Sequence, residues 1–113
     1  MTEKGAKYLS DIIQAIELID EFTKEIQSFS KYSKDLKTQS AVERQLSIVG
    51  EAVNKFDQLH PNETLENARK IVGFRNRLIH AYDSVDASIV WVIMKNYLPT
   101  LKQEAVIKYN NYN

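Results

Sequence analysis

Arg75-Asn76-Arg77-Leu78-Ile79-His80-Ala81-Tyr82 puts a guanidinium, an imidazole and a phenol within one short stretch of chain. On a helix each residue turns the direction of its side chain by ~100°. Arg75 and Tyr82 then nearly eclipse, and His80 stands ~140° from Arg75, oblique but on one exposed half if the last turn loosens. Such a trio suits RNA cleavage without a metal. The 2′-hydroxyl attacks its own adjacent phosphate, which calls for a base, an acid and a cation facing the phosphoryl oxygens. Imidazole titrates near ~6.5 and serves as base or acid. Guanidinium is always charged, and its planar fork matches phosphate oxygens. Asn76 is placed to orient either partner. On residue types alone a structural role stays open: Arg75 and Arg77 pairing with carboxylates of an earlier helix, such as Glu51, and His80 ending a helix.

Other chemistries lack their residues. There is no glycine-rich phosphate loop, no paired-histidine metal spacing and no nucleophile elbow. Cys is absent, which removes disulfide scaffolds, thiolate metal centres and thiol nucleophiles and suits a reducing cytoplasm. The motif has no carboxylate before Asp83, so no metal site and no cofactor are expected.

Helices are required to hold the motif. Leu9, Ile12, Ile13, Ile16, Ile19, Phe22, Ile26 and Phe29 recur in steps of three and four, predicting a first helix over about Lys7 to Ser28. The serine-rich stretch after it reads as a connection with room for one helical turn. Val42, Leu46, Val49, Val53 and Phe56 mark a second helix from about Thr38 to Leu59, stopped by His60-Pro61. A third helix should begin near Asn62 or Thr64 and end near His80 or Ala81. Ser84 or Asp86 should cap a fourth. Its run Ile89-Val-Trp-Val-Ile-Met94 suggests burial nearly all round, and Pro99 should kink it. The polar tail from Lys108 should fray. Expected is an all-α, antiparallel four-helix bundle, residues 1–113 forming one domain.

With 113 residues, 43% apolar and 27% charged, the chain is globular in composition. No apolar run approaches the ~20 residues of a membrane helix, and Met1–Ser10 does not read as a signal peptide. Net charge is zero. The distribution is uneven, however: Asn67 to Tyr82 contains no acid but holds Arg69, Lys70, Arg75 and Arg77. Arg69, Lys70 and Arg77 are the candidate RNA contacts beside the catalytic candidates.

The segment Gly73-Phe-Arg-Asn-Arg-Leu-Ile-His-Ala-Tyr82 resembles the R-x-x-x-x-H-x-Y signature of HepT-type toxins, members of the HEPN superfamily. Ala41-Val-Glu-Arg-Gln-Leu-Ser-Ile-Val-Gly-Glu-Ala52 is similar to that family's second-helix pattern. Val85-Asp-Ala-Ser-Ile-Val-Trp91 and Leu98-Pro-Thr-Leu101 are similar to its fourth helix. The likeness runs from about Leu9 to Leu101 in the family's order.

The resemblance implies a homodimeric bundle whose two motifs line one cleft, and a metal-independent, cytoplasmic endoribonuclease toxin with tRNA among its targets. Arg75, Asn76 and His80 take the catalytic positions. It further implies a partner, an MntA-type nucleotidyltransferase antitoxin that transfers AMP to Tyr82. The reading from another class is a non-catalytic helical subunit that binds a nucleotide or presents it to such a transferase. An RNA cleavage assay separates the two.

Overall fold

Thr2 starts the first helix. Its Oγ1 accepts the backbone N–H of Gly5 at 3.0 Å, and its carbonyl accepts that of Ala6 at 3.0 Å. In the structure, a computed structural model that describes residues 2–69, 71, 73 and 86–112, this cap opens α1 (Glu3–Thr23). The helix begins earlier than the apolar spacing predicts, because its first turn buries Gly5 and Ala6, which large-residue periodicity does not register. It also ends earlier. Thr23 Oγ1 donates back to the Ile19 carbonyl at 2.8 Å, and the Ile26 N–H closes a turn onto the Thr23 carbonyl. Ser28 then caps a separate short helix, α2 (Phe29–Lys34), where only a helical turn was expected. Ile26 and Phe29 keep the three-and-four spacing across this break, but Ile26 lies in the connection and Phe29 opens α2.

Asp35 caps α3 (Leu36–Leu59): its carboxylate accepts the Thr38 N–H at 3.0 Å and the Thr38 hydroxyl at 2.7 Å. Leu9, Ile12, Ile16 and Ile19 of α1 meet Val42, Leu46, Val49, Val53 and Phe56 of α3 in the core. Full burial of each such side chain contributes roughly 1.5–3 kcal/mol relative to exposure. The two helices run antiparallel: Lys4 and Tyr8 share a small surface cavity with Lys55, Gln58 and Leu59.

After Pro61, a 3₁₀ turn (Glu66–Ala68) begins the next helix, later than Asn62 or Thr64, and helical backbone continues at Arg69, Ile71 and Gly73. The expected end of this helix near His80 lies outside the described residues. Asp86, one of the two expected caps, accepts the Ser88 N–H at 2.9 Å and opens α4 (Ala87–Val92). A π turn (Ile93–Tyr97) leads into α5 (Leu98–Asn110). The sequence reading places a kink at Pro99. The structure places the π turn just ahead of it, with the Leu98 N–H reaching back to the Ile93 carbonyl and Pro99 in the first turn of α5.

The apolar run is not buried all round. Val90, Ile93 and Met94 face the core, while Ile89 and Val92 are 36% and 44% exposed. Nor does α5 stop at Lys108; it continues to Asn110, antiparallel to α1, with Tyr109 and Tyr112 beside Glu3, Ala6 and Lys7. Among the described residues there is no strand, and no helix is long and apolar enough to cross a membrane. The architecture is an all-α bundle.

Candidate functional site

Leu65, Ala68 and Ile71 are buried at intervals of three residues, so one face of the incoming helix is fixed against the core. Arg69, an expected RNA contact, is exposed beside that buried stripe. Lys70, Arg75, Asn76, Arg77, His80 and Tyr82 lie outside the described residues. What the structure does define is the pair of anchors between which the motif runs.

The upstream anchor is made of carboxylates. Leu65 stands at the N-cap position but has no side-chain acceptor. Asp57 of α3 takes the Leu65 N–H on Oδ1 at 2.9 Å. Glu104 of α5 takes the Glu66 N–H on Oε2 at 2.9 Å and the Asn67 N–H on Oε1 at 3.1 Å; Asn67 Nδ2 also donates to Oε1, at 3.0 Å. These contacts satisfy backbone donors that a helix start otherwise leaves without partners. Burial holds the Asp57 carboxyl above the usual carboxylate range; Glu104 pushes the same way, and the Leu65 N–H and Lys108 oppose it. Sequence reasoning missed this pair, since Glu104 lies 37 and 38 residues from the backbone it binds and no local spacing marks it.

The downstream anchor is aromatic. Trp91, five residues after the Asp86 cap, packs on Tyr32 with ring centroids 5.4 Å apart and on Phe29 at 6.3 Å. The Lys95 ammonium lies 4.6 Å from the Trp91 ring centroid. Tyr32 is fully buried and its hydroxyl has no hydrogen-bond partner. Burial raises this phenol well above its ordinary range, and Glu43 and Asp35 add to the shift.

The other sequence candidates take structural positions. Glu51 bonds Lys55 at 3.0 Å. His60 ends α3, its N–H donating to the Phe56 carbonyl and its ring 4.9 Å from that of Phe56. Among the described residues no three His, Asp or Glu side chains converge as metal ligands would.

An all-α bundle whose sequence carries this Arg-His-Tyr segment has relatives among known proteins. The ribonuclease HepT-like family model matches residues 12–106, which include the whole motif. A probable ribonuclease HepT of Thermococcus cleftensis is 46% identical over 106 residues, covering 90% of this chain and 93% of that protein. A protein of Methanocaldococcus jannaschii named as a putative RNase is 34% identical over 112 residues, covering 95% and 99%. One so named in Caldanaerobacter subterraneus is 35% identical over 102 residues, covering 86% and 87%. No solved structure matches. The chain belongs to the ribonuclease HepT-like family of HEPN endoribonucleases.

Proposed function

We propose that this chain is a metal-independent endoribonuclease toxin whose chemistry resides in Arg75, Asn76 and His80. The observation that supports the reading is that the family match, residues 12–106, spans the Arg75-to-Tyr82 segment, whose sequence has the R-x-x-x-x-H-x-Y spacing. His80 takes the proton of the RNA 2′-hydroxyl or delivers one to the leaving 5′-oxygen. Arg75 holds the phosphoryl oxygens through its fork, and Asn76 orients the reacting groups. The bond from phosphorus to the 5′-oxygen breaks as that to the 2′-oxygen forms, leaving a 2′,3′-cyclic phosphate. Arg69, Lys70 and Arg77 bind the RNA backbone, with tRNA as the substrate class. The active unit is a cytoplasmic homodimer with both motifs on one cleft.

Tyr82 is the control point. Transfer of AMP to its phenol oxygen by an MntA-type nucleotidyltransferase adds bulk and one negative charge next to Arg75. The added phosphodiester neutralises the cation that the transition state needs and occupies the space of the RNA phosphate.

Single substitutions test this division of roles. His80→Ala should lower cleavage by ~10²–10⁴-fold, the usual loss on removing a general acid or base. Arg75→Ala should fail similarly, and Arg75→Lys should recover little, since an ammonium has no bidentate fork. Tyr82→Phe should cleave RNA yet escape neutralisation by the transferase. Cleavage should persist in EDTA. Unaltered cleavage by the His80 and Arg75 variants would place the ribonuclease site elsewhere, a parent chain without cleavage would favour the nucleotide-binding subunit reading, and magnesium-dependent recovery after EDTA would overturn the mechanism.

A further inference from the structure

The helix that leads to the motif does not cap itself. Its N-cap residue, Leu65, has no acceptor, and the acceptors come from two other helices. A cap borne by the helix's own chain moves with that helix. A cap supplied from α3 and α5 ties the helix start to the bundle. Leu65, Ala68 and Ile71 fix its rotation through burial, while Asp57 and Glu104 fix its position along the axis. Helical backbone is described as far as Gly73, two residues before Arg75 in the chain.

We propose that Asp57 and Glu104 are positioning residues for the ribonuclease chemistry, acting by clamping the helix start at Leu65–Asn67, upstream of the Arg75–Tyr82 segment in the chain. This assignment rests on the ribonuclease reading for its consequence, though not for the clamp itself. The arrangement runs against simple electrostatics, because two carboxylates converge on one helix start and one of them is half-buried. The helix dipole and the orphan N–H groups offset that cost. Side chains away from the chemistry matter in such a design: a misplacement of ~1 Å at reacting groups costs on the order of 10²-fold in rate.

The test uses the full chain with Glu104→Ala, Glu104→Gln and Asp57→Asn, and Glu21→Gln, a change in an exposed pair on α1, as control. Hydrogen exchange followed by mass spectrometry reads the clamp directly. Glu104→Ala should speed exchange in peptides covering 65–73 by about tenfold and leave α1 protection unchanged. RNA cleavage, well below the unfolding midpoint, should then show kcat reduced ~10-fold or more with KM nearly constant. Glu104→Gln keeps the length and one acceptor oxygen and should fall between the two; it carries the same comparison if the alanine variant does not fold.

Unchanged exchange in the Glu104 variants would overturn the clamp. Faster exchange with normal kcat would overturn the positioning role and leave Glu104 a stability residue. A parent chain without RNA cleavage would defeat the ribonuclease reading instead, with the exchange data still deciding the clamp.

Discussion

Glu43 is a half-buried carboxylate of α3 that burial holds above its ordinary range. Its sign differs from that of a capping acid. A raised pKa in the folded state means that ionisation opposes folding, fully so above the folded value and not at all below the unfolded one. Glu43→Gln should therefore raise the unfolding midpoint by up to a few degrees at pH 7, and the gain should shrink to nothing as pH falls toward about 4. A melting series from pH 4 to 8 checks it; a gain that persists at the acid end would point to a packing cause. At this scale the sequence was informative where reactive residues cluster locally. Arg75, His80 and Tyr82 stand together in the chain and carry a recognisable spacing. Glu104 and Asn67 meet only because two helices pack, so neither residue's neighbours in sequence announce the contact.

The elements were legible wherever large apolar residues alternate regularly, and their boundaries were not. The stripe from Val42 to Phe56 predicts α3 to within a turn, and all five residues it names are buried, joined by the small Gly50 and Ala52. The first helix was misplaced at both ends because periodicity of large apolar residues is blind to buried small residues, to turns and to caps. Thr2 starts that helix, and Ser28 and Asp35 start the two that follow, through side-chain oxygens. Asp35 also provides a test opposite in sign to Glu43. The hydroxyl and then the N–H of Thr38 donate to its carboxylate and hold its pKa below the usual value. A lowered folded pKa gives stability present above the unfolded value of 3.8 and lost as pH falls through the folded one. Asp35→Ala should thus melt below the parent at pH 5 to 7, the two curves converging below about pH 3. A constant gap down to pH 2 would show that the carboxylate's charge is not what holds the start of α3.

At the scale of the whole molecule, the run Ile89–Met94 divides between two duties. Val90, Ile93 and Met94 complete the core, and Ile89 and Val92 stand exposed on the helix whose Trp91 packs on the half-exposed Phe29 ring. An apolar patch of this kind on a small bundle is the surface that a second copy would cover in the proposed homodimer. About a twofold axis each substitution acts twice, because the same patch serves both protomers. Val92→Lys combined with Ile89→Glu replaces four buried apolar contacts per dimer with charges. Full burial of a Val or Ile contributes roughly 1.5–3 kcal/mol, but Ile89 and Val92 are already more than half covered, so four such losses come to about 3–4 kcal/mol. At ~1.4 kcal/mol per tenfold in Kd, dimerisation should weaken by about 10²-fold or more. Sedimentation of the parent at micromolar concentration should show a dimer, and the double variant should sediment as a folded monomer. If both motifs line one cleft, RNA cleavage should fall with the dimer fraction and return as protein concentration is raised. A double variant that remains dimeric would move the axis elsewhere on the bundle. A monomer that cleaves at the parent's rate would show that one chain carries the whole site.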